Sequence, residues 1–308
     1  MELVMKNLLN KIHDFINPKE IRLILPENNS RIKEAKKKLS DIGFQIIELD
    51  GKSEDFFNDI KRLKFAKDWS DISLLDYINN PVNHGMAMLK NNLADILIAG
   101  SSTSTADVIR SGLRFIGLKN NSSCLSSMFL MVAPDESRIF SYSDCAVIPE
   151  PNEAQLADLA YDTCINHNFL TGEDPKVAFL SFSTNSSATH YRVSKVQRAI
   201  EIFIKKYPDI ICEPSEVQFD SAICNDVAIK KYPDSILKGA ANVLIYPNLD
   251  AGNIAYKITE RIGGYTAVGP LLQGFDKPIH DLSRGCTVSD IFEICLIASY
   301  REAVNANI

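Results

Sequence analysis

The sequence predicts an α/β protein of two domains built on parallel-rich sheets. Three observations carry this. The chain has 308 residues, more than one core ordinarily supports. Short apolar runs alternate with amphipathic stretches, and several of those runs break into a Ser/Thr/Asn-rich loop before helical periodicity resumes. Strands alternating with helices favour parallel sheets covered by helices on both faces.

The opening MELVMKNLLNKIHDFINPK places Val4, Leu8, Ile12 and Phe15 on one stripe and predicts a helix lying on a domain, neither a signal peptide nor a membrane span. IRLIL (21–25) reads as a buried strand, PENNS as a turn with a helix cap, RIKEAKKKLSDIG as a basic-faced helix closed by Gly43, and FQIIEL (44–49) as the next strand. After a helical GMAMLKNNLA, the strand DILIAG (95–100) runs into the polar loop SSTSTAD and a helix from near Val108. VAFLSF (177–182) breaks into STNSSATH, then a helix with Val193, Val196, Ile200 and Phe203 on one face. NVLIYP (242–247) breaks into NLDAGN, then a helix with Ile254, Ile258 and Ile262 at four-residue spacing, ended by Gly263 and Gly264.

Composition excludes several classes of function. A formal net charge of -6 gives no broad basic field for nucleic acid or a membrane surface. No run approaches the roughly 20 apolar residues of a membrane helix. Seven cysteines (124, 145, 164, 212, 224, 286 and 295) are odd in number, without C-x-x-C spacing or a histidine cluster, and read as reduced thiols of a cytoplasmic protein with no metal site.

Polar loops at the carboxyl ends of strands are where open α/β sheets gather ligands, and three of them suggest a phosphate-bearing one; the plainer reading is helix capping. Neither a Walker pattern nor G-x-G-x-x-G is present. In HDLSRGCTVSD (280–290), Thr287 and Asp290 have capping-box spacing ahead of Ile291, Ile294, Cys295 and Ala298. Arg284, followed by Gly285, sits where a tight turn can aim its fork at a carboxylate or phosphate. Ser283 lacks a triad, and nothing activates Cys286 as a nucleophile, so both have structural readings too. Arg110 follows the SSTSTAD loop by one turn and could reach a ligand above it. These residues describe a two-domain α/β enzyme for an anionic small molecule.

At these same loops the chain resembles the phosphate acetyltransferase family, within the wider phosphate acetyl/butyryltransferase group. ANVLIYPNLDAGNIAYKITERIGG and AVGPLLQGFDKPIHDLSRGCTVSD carry the resemblance most densely, and ILPE (24–27), SDCAV (143–147), LSFSTNSSA (180–188) and QFDSAI (218–223) extend it. It implies reversible acetyl transfer between acetyl-CoA and phosphate, giving acetyl phosphate and CoA with no added cofactor. It also implies two α/β domains of the isocitrate/isopropylmalate dehydrogenase type, residues 1–124 with 271–308 and residues 125–270, with the active site in the interdomain cleft and a homodimeric assembly.

By the same resemblance, Ser283 assists at the reacting centre, Arg284 holds the phosphate side of acetyl phosphate, and Asp290 is the base for the CoA thiol. Ser104, Asp107 and Arg110 match a S-x-x-D-x-x-R context that anchors CoA or phosphate, and Ser183, Thr184 and Asn253 add substrate contacts. Lys64 stands at a family arginine and keeps the charge without the bidentate fork. Asn185-Ser186 replaces a family Lys-Gly, Thr103 a histidine and His280 an asparagine, and the segment between Asp50 and Lys64 is short. Two alternatives stay open: a silent member that binds CoA or acetyl phosphate for regulation, and transfer of a longer acyl group. A dehydrogenase is the weaker third reading.

Overall fold

The computed structural model describes residues 16–49, 51–120 and 122–305. The expected stripe of Val4, Leu8, Ile12 and Phe15 lies outside the described residues. The strands are β1 (Arg22–Ile24), β2 (Gln45–Ile46), β3 (Ile96–Ala99), β4 (Ser126–Val132), β5 (Ile139–Ser143), β6 (Lys176–Phe179), β7 (Ile211–Cys212), β8 (Val243–Ile245), β9 (Thr266–Gln273) and β10 (Ile279–Asp281). The α-helices are α1 (Ser30–Asp41), α2 (Phe57–Lys61), α3 (Asp71–Asn79), α4 (Pro81–Lys90), α5 (Thr105–Phe115), α6 (Glu153–Thr171), α7 (Tyr191–Lys206), α8 (Phe219–Ile223), α9 (Asn225–Lys231), α10 (Leu249–Arg261) and α11 (Val288–Asn305). They form two compact units, residues 16–120 with 275–305, and residues 122–274. No helix among the described residues is long and apolar enough to cross a membrane.

The unit of residues 16–120 with 275–305 carries a wholly parallel sheet in the order β10-β3-β1-β2. Leu23, Ile24, Ile96, Leu97, Ile98 and Ala99 are all buried, the near-continuous apolar pattern of strands covered on both faces. FQIIEL pairs only over Gln45–Ile46, because β2 is an edge strand with a single neighbour. Helix α1 buries Ile32, Ala35 and Leu39 and leaves its lysines outside; Asn29 caps it by accepting from the Ile32 N–H at 3.1 Å. Helix α11 packs on α1 and β3, while α5 packs on α4 and β10. The register sets Ala99 opposite Asp281, so the loops after β3 and β10 leave the same sheet edge side by side.

The unit of residues 122–274 holds six strands in the order β7-β6-β8-β5-β4-β9. The first four are mutually parallel; β4 runs antiparallel to both β5 and β9. Along β8, Val243 and Ile245 face a core shared with α6 and α7, whereas Leu244 faces the core on the side of α8 to α10, so helices cover both faces. Val193, Val196, Ile200 and Phe203 of α7 are buried as their spacing predicts.

The helix predicted from Ile254, Ile258 and Ile262 is present as α10, with these three isoleucines exposed. The helix instead turns Gly252 and Tyr256 inward. A Cβ at Gly252 would stand 2.1 Å from the Asp144 carbonyl oxygen, so only glycine allows this approach, and the large isoleucines occupy the outer face.

Candidate active site

In the unit of residues 16–120 with 275–305, the loops after β1, β3 and β10 converge at the carboxyl edge of the sheet, and two side chains tie them together. The first is Glu27, which follows β1 and is buried. Its carboxylate accepts from the backbone N–H groups of Gly100 (3.1 Å), Ser101 (2.7 Å), Ser102 (2.9 Å) and Thr103 (2.7 Å), and from the Ser101 and Ser102 hydroxyls. Burial alone would raise this carboxyl, but the bonds from Ser101, Ser102 and Thr103 outweigh it and hold Glu27 below the usual range. The SSTSTAD loop thus has the anion-cradling form its composition suggests, but the anion in its backbone amides is internal. This corrects the expectation that those amides meet a ligand phosphate.

The second is Arg31, in the first turn of α1. Its guanidinium donates to the carbonyls of Ser101 (3.0 Å), Arg284 (3.0 Å) and Cys286 (2.6 Å), joining the β3 loop to the β10 loop. A third link is the Thr105 hydroxyl, which donates to Asp281 Oδ2 at 2.5 Å. Gly100, at φ +110°, is the residue that lets the loop pass: a Cβ there would lie 2.2 Å from Asp281 Oδ1. Asp281 is buried, and burial first, then the nearby Glu27, push its carboxyl up to about 6.

Ser283 and Arg284 lie on the exposed turn that this scaffold holds, and Asp290 follows in the first turn of α11, also exposed. The Ser283 Oγ accepts from the Gly285 N–H at 3.2 Å and keeps its own proton to donate. The Arg284 side chain makes no hydrogen bond or ion pair with the described residues. Thr287 and Asp290 form the reciprocal capping box of α11: Asp290 Oδ2 accepts from the Thr287 N–H at 2.8 Å, and the Thr287 hydroxyl from the Asp290 N–H at 3.2 Å. Asp290 Oδ1 remains open. Cys286 is buried, and burial raises its thiol, so it lines the turn and is no activated nucleophile.

Ser104, Asp107 and Arg110 form one linked set on the first turns of α5. Ser104 caps the helix and donates to Asp107 Oδ2 at 2.7 Å; Arg110 pairs with Asp107 Oδ1 at 2.5 Å. Hydrogen bonding from Ser104, then Arg110, holds the Asp107 carboxyl below its usual range. Thr103, Asp107 and Arg110 edge a cavity of about 560 Å³, whose other walls include Tyr77, Asn80, Asn83 and Arg114. The Arg114 guanidinium lies over the rings of Phe65, Trp69 and Tyr77 at 5.4 to 5.5 Å, which stiffens that wall. Lys64 is exposed on a 3-10 turn and does not line the cavity.

Ser183, Thr184 and Asn253 belong to the other unit. The STNSSATH loop repeats the internal-anion arrangement: buried Glu216 accepts from the Ser183 hydroxyl (2.7 Å), the Ser186 N–H (2.8 Å) and the Gln197 amide (3.0 Å). Thr184 is buried and accepts from the Gln218 N–H at 2.9 Å, and Asn253 donates to the Cys145 carbonyl at 3.0 Å. Asn185 and Ser186 both take left-handed backbone, φ 47° and 62°. Asp144 in SDCAV collects donors from Ser127, Ala146, Val147 and Ile148. Sequence reasoning assigned no role to Glu27, Arg31, Glu216 or Asp281. The available signal was an acid directly after an apolar strand and ahead of a polar loop, as in ILPE and IHD.

Residues 11–299 match the family described as Phosphate acetyl/butaryl transferase. The chain belongs to this family. A phosphate acetyltransferase of Staphylococcus epidermidis is 35% identical, over 96% of this chain and 98% of that protein. One from Staphylococcus aureus is 42% identical over 73% of this chain and 68% of the relative. Among solved structures, the EutD phosphotransacetylase from Staphylococcus aureus superposes with a TM-score of 0.83 at 32% identity, covering 97% of this chain and 99% of that one. A phosphotransacetylase from Streptococcus pyogenes gives a TM-score of 0.89 at 29% identity, covering 98% and 99%. Ser186, where the resemblance implies a glycine, takes the left-handed backbone that glycine adopts most readily.

Proposed function

We propose that the chain is a phosphate acetyltransferase, transferring acetyl between acetyl-CoA and phosphate to give acetyl phosphate and CoA, in the cytoplasm and with no added cofactor. The observation that carries this reading is the open bonding capacity of Ser283, Arg284 and Asp290 on one turn, where the neighbouring loop amides and Arg31 are already committed. Family membership supports the reaction, and seven free cysteines, six of them buried, fit a reducing compartment.

In the direction that forms acetyl-CoA, Asp290 Oδ1 takes the CoA thiol proton as sulfur attacks the acetyl carbonyl. A free thiol with a pKa of about 8.5 is only a few per cent thiolate at neutral pH, and general-base help is worth roughly 10²- to 10⁴-fold. The Ser283 hydroxyl donates to the developing oxyanion, and the unpaired Arg284 guanidinium neutralises the departing phosphate. Arg110 and Ser104 contact CoA or phosphate at the α5 terminus, with Lys64 as a weaker, single-point cation. Ser183, Thr184 and Asn253 are the further substrate contacts of this reading.

The test is direct. The full chain mixed with acetyl phosphate and CoA is followed by thioester absorbance, and propionyl and butyryl phosphates are run beside it. Turnover highest with acetyl phosphate supports the reading. No turnover over a broad concentration range refutes it, and CoA binding without turnover identifies a silent binder instead.

A further inference from the structure

We infer that Arg114 grips the 3′-phosphate of CoA, and that through it this chain selects CoA over dephospho-CoA. The inference rests on the reading that CoA lies over the first turns of α5, and it adds a second guanidinium from the same helix. Arg110 and Arg114 are one helical turn apart on α5, and both line the cavity of about 560 Å³. A cavity of that size is far larger than a lone phosphate ion needs and falls within the range that encloses a small organic ligand.

The two arginines are not equivalent. Arg110 pairs with Asp107 Oδ1 at 2.5 Å, so its charge is answered within the protein. Arg114 makes no hydrogen bond or ion pair with the described residues. Its guanidinium lies 5.4 to 5.5 Å from the ring centres of Phe65, Trp69 and Tyr77, and these rings pack on one another at 5.1 to 5.9 Å. The rings attract the cation and hold it in place, but they offer no oxygen to its N–H groups. The result is a half-buried guanidinium, positioned in the wall of a cavity with its fork unspent. A charge partly removed from water calls for an acceptor, and a phosphate monoester, with several oxygens free, meets the planar fork bidentately. Lys64 shares a 3-10 turn with Phe65 but does not line the cavity, so the cation presented on that side is carried by Arg114. The rest of the lining favours a nucleotide over bare phosphate. Asp76 and Asn80 line the same cavity and are exposed. Asn80 spends its Oδ1 on the N–H groups of Val82 and Asn83 and keeps its amide NH2 to donate. A carboxylate acceptor and an amide donor together match the amino group and ring nitrogens of adenine.

Calorimetric titration of the full chain with CoA and with dephospho-CoA tests this apart from turnover. Wild type should bind CoA about 10- to 100-fold more tightly than dephospho-CoA, the range of one charge-assisted contact. Arg114→Ala should abolish that preference by weakening CoA alone, and Arg114→Lys should recover part of it. Unchanged binding of dephospho-CoA reports that the aromatic wall is intact, which separates a lost phosphate contact from a collapsed cavity. Should the alanine variant fail to fold, Arg114→Gln, which keeps a planar group over the rings, carries the same measurement. Arg62→Ala removes a positive charge that does not line the cavity and should leave the preference as it is. Equal wild-type affinity for the two ligands, a preference that survives loss of the Arg114 charge, or parallel weakening of both ligands overturns the inference. Thioester formation judges the acyl-transfer reading separately. Turnover without a preference for CoA leaves that reading standing and overturns this inference, and a preference lost in Arg114→Ala without any turnover does the reverse.

Discussion

Asp281→Asn offers a sharp test of how the active-site scaffold is held. Asp281 is 1% exposed; Oδ2 accepts from Thr105, Oδ1 has no hydrogen-bond partner among the described residues, and the Glu27 carboxylate adds like charge. Burial is the larger cause, and together they push the carboxyl up to about 6 in the folded protein, against about 3.9 in an unfolded chain. Because the folded pKa is the higher one, the folded state binds the proton more tightly. The associated stability is fully present below about pH 4 and is lost as pH rises through about 6. Two units correspond to about 3 kcal/mol between the two plateaus. Asparagine keeps an acceptor for Thr105 and does not titrate. The stability of the variant minus that of wild type should therefore climb by about 2 kcal/mol from pH 4 to pH 7, whatever constant offset the substitution adds. Urea unfolding followed through Trp69, the only tryptophan and in the same unit as Asp281, measures this difference. A difference flat across that range would refute the buried, raised-pKa assignment.

The remaining predictions concern the turn and its support. Asp290→Asn should lower kcat by roughly 10²- to 10⁴-fold in the thioester assay, while Thr287→Ala should cost about 1 kcal/mol of stability and little turnover. If the two variants shift only the melting midpoint, and by similar amounts, Asp290 is a cap alone. Arg284→Ala should lower kcat/KM for acetyl phosphate about 10- to 100-fold, the loss of a charge-assisted bond, and Lys should restore only part of it. Glu27→Gln turns part of a carboxylate that meets four backbone N–H groups into a donor, and should cost at least about 2 kcal/mol in the urea midpoint.

Legibility in the sequence followed the reach of the interactions. The strand-loop-helix units were readable because each is local: Asn29, Ser104 and Asn248 cap their helices within three residues. The capping box at Thr287 and Asp290 was readable for the same reason. The antiparallel β4–β5 hairpin and β9 were not anticipated, although SSMFLMV and RIFSYS around the turn PDES carry a hairpin pattern. The α10 stripe was legible as helix but not as surface, because four-residue spacing of isoleucine looks the same whether the face meets a core or solvent. Least legible were the ties of Glu27 to residues 100–103 and of Arg31 to residues 101, 284 and 286, which join loops that only the parallel pairing of β1, β3 and β10 brings together.

Those ties bear on how the turn handles an anion. A polar loop at the end of a parallel strand ordinarily offers its amides to phosphate, yet here Glu27 and Glu216 occupy two such loops from within. A substrate phosphate near Ser101 would meet the negative charge of Glu27 rather than free N–H groups. Arg31 cannot compensate, since its guanidinium is spent on three carbonyls. Positive charge for the leaving phosphate must then come from a side chain with no internal partner, and Arg284 meets that condition, whereas Arg110 must first give up or share Asp107. On the proposed reading, the buried acids fix the loops and leave recognition of the leaving phosphate to the Arg284 guanidinium, on the same segment as Ser283 and Asp290. Under that proposal the arrangement would suit a reaction that must both hold phosphate and let it go, because one charge-assisted contact releases its ligand more readily than a cradle of backbone amides.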